Sequence, residues 1–389
     1  MKILITSDWY YPTINGVVRS VLNLRKELME MGHDVRVLTL EQRKGQAADL
    51  EQEENQGVYF FRSFSVNRIY PQARVLKKYD RKMIQQIADW HPDVIHTQCE
   101  FSSFLLAERV VAKLGNVPVV HTYHTVYEDY THYFSPSAKL GKMMVRRMTR
   151  LLMAKVDGVI APTEKVTDML KEYGVKCPVY TIPSGIDTRR YEQQIAEKRR
   201  AEIRQSYGIP EDATVLAFVG RMAKEKNVPE LISYTEQALG ERLYLLLVGG
   251  GPLLEDIQKL VQKSPKADYI RFTGMVSPDV VQEYYQTGDI FISASTSETQ
   301  GLTYIEALAN GLPALCRKDE CLDDVIIEGE NGFQYETLEQ FEQGLTQLLA
   351  LSVEERRQRA RSSVQKFSME VFAKTVCTLY ESVLEQKSQ

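Results

Sequence analysis

The chain has 389 residues, a net charge of -4, 43% hydrophobic and 26% charged residues. This is the balance of a soluble globular protein long enough for two cores, and it excludes disordered, collagenous and polytopic membrane classes. Five scattered cysteines, odd in number and without a C-x-x-C pair, exclude a disulfide framework and fit a reducing cytoplasm.

In chain order, "KILITS" (2–7) predicts a buried strand, and the apolar run of the N-terminus is too short for a signal peptide or a membrane span. The segment 17–32 has helical periodicity ending at Gly32. Further strands are predicted at 34–40, 93–98, 117–124 and 157–163, apolar on both faces as in a parallel sheet covered by helices. The acidic, Gln-rich 41–57 reads as a surface loop. After a hinge near Pro183 to Asp187 and one polar helix over 191–208, the pattern restarts with strands at 214–220, 243–251, 269–274, 289–295 and 313–317. The periodic helix at 368–386 is expected to pack back across the hinge. The boundaries are therefore 1–184, 185–367 and a C-terminal helix 368–389.

Charge divides along the same line. Residues 1–180 carry 25 Lys and Arg against 20 Asp and Glu, and the remainder carries 23 against 32. A basic first half suits an anionic surface, although domains also differ in charge with no function attached.

Ligands of parallel α/β sheets lie beyond the carboxyl ends of strands, so motifs just after strands carry the chemistry. Gly16 opens the first helix, where unpaired N–H groups favour an anion, or simply makes an Asn-Gly turn. "FVGRMAKEKNVPELI" (218–232) places Arg221 and Lys226 beyond a strand, fixed charges of the kind a departing diphosphate needs; the bland alternative is a solvated basic turn. "VGGGPLLEDI" (248–257) permits phosphate contact or close strand-to-helix packing. Met275 and Val276 offer an apolar ledge for a nucleobase, or core packing. In "SETQGLTYIEALANG" (297–311) a helix opens on the amides of Gly301, Leu302 and Thr303. Glu298 lies before it, and Glu306 lies inside among Tyr304, Ile305, Ala307 and Leu308, where a carboxylate needs partners. Capping and surface placement are the alternatives for the two glutamates.

G-R-x(4)-K, T-G-x-V and E-x(7)-E, in this order and spacing over a second α/β lobe, resemble family 4 of the retaining glycosyltransferases. That resemblance spans essentially the whole chain and implies the GT-B fold: two Rossmann-like α/β parallel-sheet domains facing across a cleft. It implies that Arg221 and Lys226 hold a donor diphosphate, Glu306 binds ribose, Glu298 binds the transferred sugar and Gly16 lies against donor phosphate. Gly301, Leu302 and Thr303 would add backbone contacts. Many members have Phe where Gln300 stands and Asn where Ser184 stands.

"VVHTYHTVYEDYTHYF" (119–134) holds His121 and His124 without the spacing of a zinc helix. With "SETQGLTYIEA" it is similar to the bacterial diacylglycerol glucosyltransferases of the family, which implies that His124 positions the reacting sugar by donating to a hydroxyl. The acid-free segment 137–156 contains Lys139, Lys142, Arg146, Arg147, Arg150 and Lys155 among leucines and methionines, a cationic amphipathic helix suited to a membrane surface or a core helix with a basic edge. Residues 67–82 add six Lys or Arg.

The resulting expectation is a retaining transferase moving glucose from UDP-glucose to the 3-hydroxyl of diacylglycerol. Tyr127, Tyr130 and the basic helix would serve acceptor and membrane, on the inner face of the plasma membrane. Neither a metal nor a nucleic-acid partner is expected. A family 4 enzyme with a soluble sugar or protein acceptor, and an inactive GT-B binding partner, are the alternatives.

Overall fold

Two compact units make up the chain: Met1–Gly185 together with Met369–Gln389, and Ile186–Ser368. The computed structural model describes residues 1–389 apart from 14, 44, 45, 47–55, 67–72, 129, 130, 132–136, 278, 296, 297 and 389, and the side chains of 192 and 388.

In the first unit Lys2–Ser7 pairs on one side with Asp34–Leu40, which pairs with Val58–Phe61. On its other side stand Val94–Thr97, Val119–Thr122, Gly158–Ala161 and Val179–Thr181, completing a seven-stranded parallel sheet. Its strands are apolar on both faces because helices cover both. Ile3 and Ile5 pack with Leu24 and Leu28 of helix Gly16–Glu30 and with Val376 and Tyr380 of helix Met369–Ser388. Leu4 turns the other way, towards Ile84 and Ile87 of helix Arg81–Trp90 and Phe104 of helix Ser102–Leu114. The C-terminal helix is thus part of the first unit, tied there by Tyr380, whose hydroxyl meets His96 Nδ1 at 2.6 Å.

The second unit repeats the plan. Thr214–Val219 lies between Leu243–Val248, followed by Ile270–Gly274, and Ile290–Ser293, followed by Ala314–Arg317 and Gly332–Tyr335, all six strands parallel. In each sheet the strand order reverses direction once: between Lys2–Ser7 and Val94–Thr97, and between Thr214–Val219 and Ile290–Ser293. Crevices at the carboxyl ends of such reversals are where doubly wound sheets bind ligands.

Several elements depart from the sequence expectations. Val58–Phe61, Val179–Thr181, Gly332–Tyr335 and the antiparallel pair Ser63–Ser65 with Arg74–Leu76 are strands where none was expected. Gly332–Tyr335 is masked by its glycine, which is obligatory, since a Cβ there would stand 2.2 Å from Ala314 O. The single polar helix over 191–208 is two helices, Thr188–Glu192 and Glu197–Ser206. In the stretch 41–57, Glu41 and Gln46 are buried rather than exposed: Glu41 N donates to Phe61 O at 2.9 Å, and Gln46 Oε1 accepts from Gln42 N at 2.7 Å; 44, 45 and 47–55 lie outside the described residues.

Candidate active site

The second unit places its motifs at the reversal of strand order. Gly220 ends the strand Thr214–Val219, and Lys226 sits on a short turn, Lys224–Lys226, before helix Val228–Thr235. That turn is closed by Asn227 in a left-handed conformation and by Pro229 at the helix start, whose fixed φ suits the first turn. Beyond the neighbouring strand Ile290–Ser293, Ser295 Oγ donates to Glu225 O at 3.3 Å, joining the two loops. Across them Lys226 Nζ is paired with the Glu298 carboxylate, both half-buried. Residues 72 positions apart, assigned to diphosphate and sugar, are therefore in direct contact. Arg221 Nη2 reaches Glu225 Oε1 at 2.9 Å and is largely exposed.

The helix Leu302–Ala309 starts at Gly301, whose φ of 71° and whose neighbours Leu322 and Tyr304, 2.7 and 2.8 Å from a Cβ, allow only glycine. The first-turn N–H groups of Leu302 and Thr303 have no carbonyl four residues back in the helix, so they point donors and the positive helix end into the same crevice. Glu306 is 8% exposed and accepts from the buried Tyr285 hydroxyl at 3.1 Å. The surface placement of Glu306 is thereby excluded. Tyr285, in helix Val281–Thr287, was missed because a Tyr-Tyr pair at 284–285 carries no motif.

Close packing explains the triple glycine. A Cβ on Gly249 would stand 2.0 Å from Gly220 O, and one on Gly251 2.5 Å from Met222 O. The loop instead clamps the Arg221 turn: Met222 N donates to Gly250 O at 2.8 Å, and Leu253 N to Met222 O at 3.0 Å. Gly251→Ala should lower the stability of the second unit by about 2–3 kcal/mol, measured by circular dichroism in urea. An unchanged midpoint would show that the clamp is dispensable. Met275 is not in the core: it is 84% exposed beside Gly250, while Val276 packs partly against the core.

In the first unit Asn15 caps helix Gly16–Glu30 by accepting from Val18 N at 2.9 Å, and a Cβ on Gly16 would meet nothing within 4 Å. The backbone there is open to approach. A polar cluster that the motifs did not announce fills the carboxyl end of this sheet. Asp8 follows the first strand, and Gln98 and Glu100 follow Val94–Thr97. Asp8 Oδ1 accepts from Ser103 N at 2.8 Å. Burial and the nearby Glu100 raise the Asp8 pKa to about 7, against the opposing pull of the Ser103 and Phe101 N–H groups. Glu100 Oε1 meets His121 Nε2 at 3.3 Å, and its Oε2 accepts from the Tyr127 hydroxyl. Tyr127 therefore stays protonated, its pKa pushed well up by burial and by Glu100. The signal that could have found these residues is position alone: one to three places beyond a strand, in "SD" and "QCE".

His124 Nε2 meets Gln98 Oε1 at 2.6 Å, so Nε2 carries the proton and Nδ1 is an acceptor. Burial and His121 hold the ring neutral, its pKa pushed down to about 3. The expected donation from His124 to a sugar hydroxyl requires the other tautomer, which a half-turn of the Gln98 amide would favour. Tyr130, with His132 and Tyr133, lies outside the described residues. Among the described residues no group of three His, Cys, Asp or Glu is placed to hold a metal.

Helix Ala138–Met153 buries only a narrow stripe, Gly141, Val145, Thr149 and Met153. Leu140, Met143 (60% exposed), Met144 and Leu151 stand outside the core beside the cations. The helix docks on the core by its buried stripe and exposes its cations, as in the reading of a core helix with a basic edge, but these four apolar side chains are left outside the core. Two of its cations are already engaged, Arg146 Nε with Glu128 Oε1 at 2.7 Å and Lys142 Nζ with Glu128 Oε2 at 3.4 Å, while Lys139, Arg147 and Arg150 are exposed. Among the described residues no helix is long and apolar enough to cross a membrane.

Paired Rossmann-like sheets, a Lys–Glu pair and a free helix start at a reversal of strand order define a GT-B glycosyltransferase. The chain belongs to glycosyltransferase family 4: residues 14–190 match the Glycosyltransferase Family 4 model and residues 199–367 the Glycosyl transferases group 1 model. It is 32% identical over 384 residues to the alpha-monoglucosyldiacylglycerol synthase of Streptococcus pneumoniae, covering 98% of this chain and 85% of that one. It is 30% identical to the alpha-monoglucosyldiacylglycerol synthase of Acholeplasma laidlawii, covering 100% and 99%. Among solved structures, Anabaena HepE in complex with UDP has the same fold, with a TM-score of 0.75 at 17% identity over 98% of this chain and all of that one.

Proposed function

We propose that this glycosyltransferase moves glucose from UDP-glucose to the 3-hydroxyl of 1,2-diacylglycerol, with retention, to give alpha-monoglucosyldiacylglycerol at a membrane surface. The observation that carries the donor half is the Lys226–Glu298 pair beside the free amides of Leu302 and Thr303. The names of the two relatives that align over nearly the whole chain support the acceptor half. In the proposed reaction the bond from the anomeric carbon to acceptor oxygen forms on the face from which the diphosphate leaves. The carbon–oxygen bond to phosphate breaks, and the acceptor proton passes to a diphosphate oxygen. Negative charge grows on that leaving oxygen, and Arg221, Lys226 and the positive end of helix Leu302–Ala309 oppose it without needing a metal. Glu306 receives the ribose hydroxyls, held in place by Tyr285.

Incubation with several nucleotide sugars and mixed lipid vesicles, with mass and anomeric configuration of any product, tests the whole reading. An alpha-glucosyl product on diacylglycerol is expected, formed from UDP-glucose. A product on a soluble sugar or protein alone would select the other acceptor class. For the surface, replacing Lys139, Arg147 and Arg150 together by Gln should weaken sedimentation with anionic vesicles by roughly tenfold or more, each near-surface cation contributing about 1 kcal/mol. Equal binding to neutral and anionic vesicles at low salt would remove the electrostatic basis of membrane contact.

A further inference from the structure

The opposite, amino end of the second-unit sheet carries a concentration of charge that sugar transfer does not use. Asp289 immediately precedes strand Ile290–Ser293, roughly 20 Å along the chain from the donor loop at 3.3 Å per residue. Both its oxygens are already committed: Oδ1 accepts from Arg200 Nη2 at 2.7 Å, and Oδ2 from Arg204 Nη2 and from Val215 N, each at 2.8 Å. Arg204 is fully bonded, its other donors directed at the carbonyls of Thr287, Glu211 and Ala213.

Arg356 is different. It lies in helix Val353–Ser362 with 5% of its surface exposed, and neither Nε nor Nη1 has a hydrogen-bond acceptor. Nε of Arg200 and Nε of Arg361 are likewise buried without an acceptor. Arg361 and Arg357 of the same helix flank Gly311, whose would-be Cβ lies 3.1 Å from Arg361 Nε and 3.3 Å from Arg357 Cγ. Asp289 is thus hydrogen-bonded to Arg200 and Arg204, its charge also reaches Arg356, and Arg357 adds a like charge beside both Arg204 and Arg356. Glu197, 3.9 Å from Arg200 Nη1, and Glu354, near Arg361, are further carboxylates at the edge. A guanidinium does not escape burial by losing its proton, so its donors call for an acceptor with negative charge. Two unpartnered donors on Arg356, beside a carboxylate already committed, suit a compact anion with several oxygens, which a phosphate group provides and chloride does not.

We propose that Arg356, with Arg200 and Arg361, forms a second anion site that binds a phosphate group at the amino end of the second sheet. The group is either free phosphate or the headgroup phosphate of an anionic lipid, and one helix connects it to the donor site. Leu302–Ala309 begins at the donor amides and ends at Asn310 and Gly311, beside Arg357 and Arg361.

The test is calorimetric titration of inorganic phosphate into the full-length protein at constant ionic strength, for wild type, Arg221→Ala, Arg356→Met and Arg356→Lys. Arg221→Ala separates the second site from phosphate bound at the donor loops. It should retain a phosphate event that Arg356→Met, similar in volume and uncharged, weakens at least tenfold. Arg356→Lys keeps a charge without the planar fork and should recover only part of the affinity. Circular dichroism of each variant confirms that the fold is present. Vesicles of phosphatidylcholine with phosphatidylglycerol identify the source: a loss of binding in Arg356→Met with vesicles, but not with free phosphate, selects the lipid headgroup. No Arg356-dependent response to either, or loss of every phosphate event in Arg221→Ala, overturns the second site while leaving the donor reading intact.

Discussion

Lys226→Ala is expected to lower kcat by about 10²- to 10³-fold, the usual effect of removing one fixed partner of developing charge. Lys226 would hold the diphosphate before reaction and more tightly as the leaving oxygen gains charge, so KM should rise while kcat falls. Its present partner sharpens the expectation. Lys226 is paired to Glu298, so diphosphate must compete with that carboxylate for the same ammonium. Glu298→Gln should therefore tighten UDP binding slightly while slowing sugar transfer, splitting two properties that a merely damaged site would lose together. Calorimetry with UDP and steady-state transfer to diacylglycerol in vesicles measure the two. A Lys226→Ala enzyme within threefold of wild type in kcat would show that the leaving group is held elsewhere. In stability, the Lys226–Glu298 pair should be non-additive in a double-mutant cycle, because each single change leaves a half-buried charge unpaired.

The same pair shows what the sequence could and could not disclose. Runs such as "KILITS" and "LYLLLV" were readable because strands buried on both faces are continuously apolar, and the two-unit α/β plan followed from them. Lys226 and Glu298 each stood out by position after a strand. Their contact did not, since it depends on Ile290–Ser293 crossing over to lie beside Thr214–Val219 rather than beside its predecessor in sequence. Tyr285 on Glu306 and the Asp8, Gln98 and Glu100 cluster are products of the same sheet order. Gly249 and Gly251 went the other way: their pattern allowed a phosphate loop, and the short approach to Gly220 O and Met222 O assigns them to packing. For helix Ala138–Met153 the periodicity was ambiguous, because apolar residues nearly encircle it. Only burial separates the four in the core stripe from the four left outside.

Asp8→Asn is expected to make the first unit more stable at pH 8 and to change its pH dependence, with an effect of up to about 4 kcal/mol. The unfolded chain releases the Asp8 proton near 3.8, the folded chain near 7, raised chiefly by burial and further by Glu100. Below pH 3.8 both states hold the proton, and the favourable protonated form is fully present. Between 3.8 and 7 only the folded state holds it, so stability is lost as pH rises, by up to about 1.4 kcal/mol per unit. Above 7 both states are ionised and the whole penalty of a buried carboxylate remains. Asn has the shape of the protonated acid and no such penalty. The difference in unfolding free energy, variant minus wild type, should therefore climb steadily from pH 4 to pH 8. Every other titrating group cancels in that difference as long as it does not touch Asp8. Glu100 does interact with it, so Glu100→Gln should lower the Asp8 pKa and compress the window. Both tryptophans, Trp9 and Trp90, lie in the first unit, which makes their fluorescence in urea a reporter of that unit alone. A variant-minus-wild-type difference that stays level across this range would mean that Asp8 is ionised throughout, held by the N–H groups of Ser103 and Phe101 at the start of helix Ser102–Leu114 despite its burial.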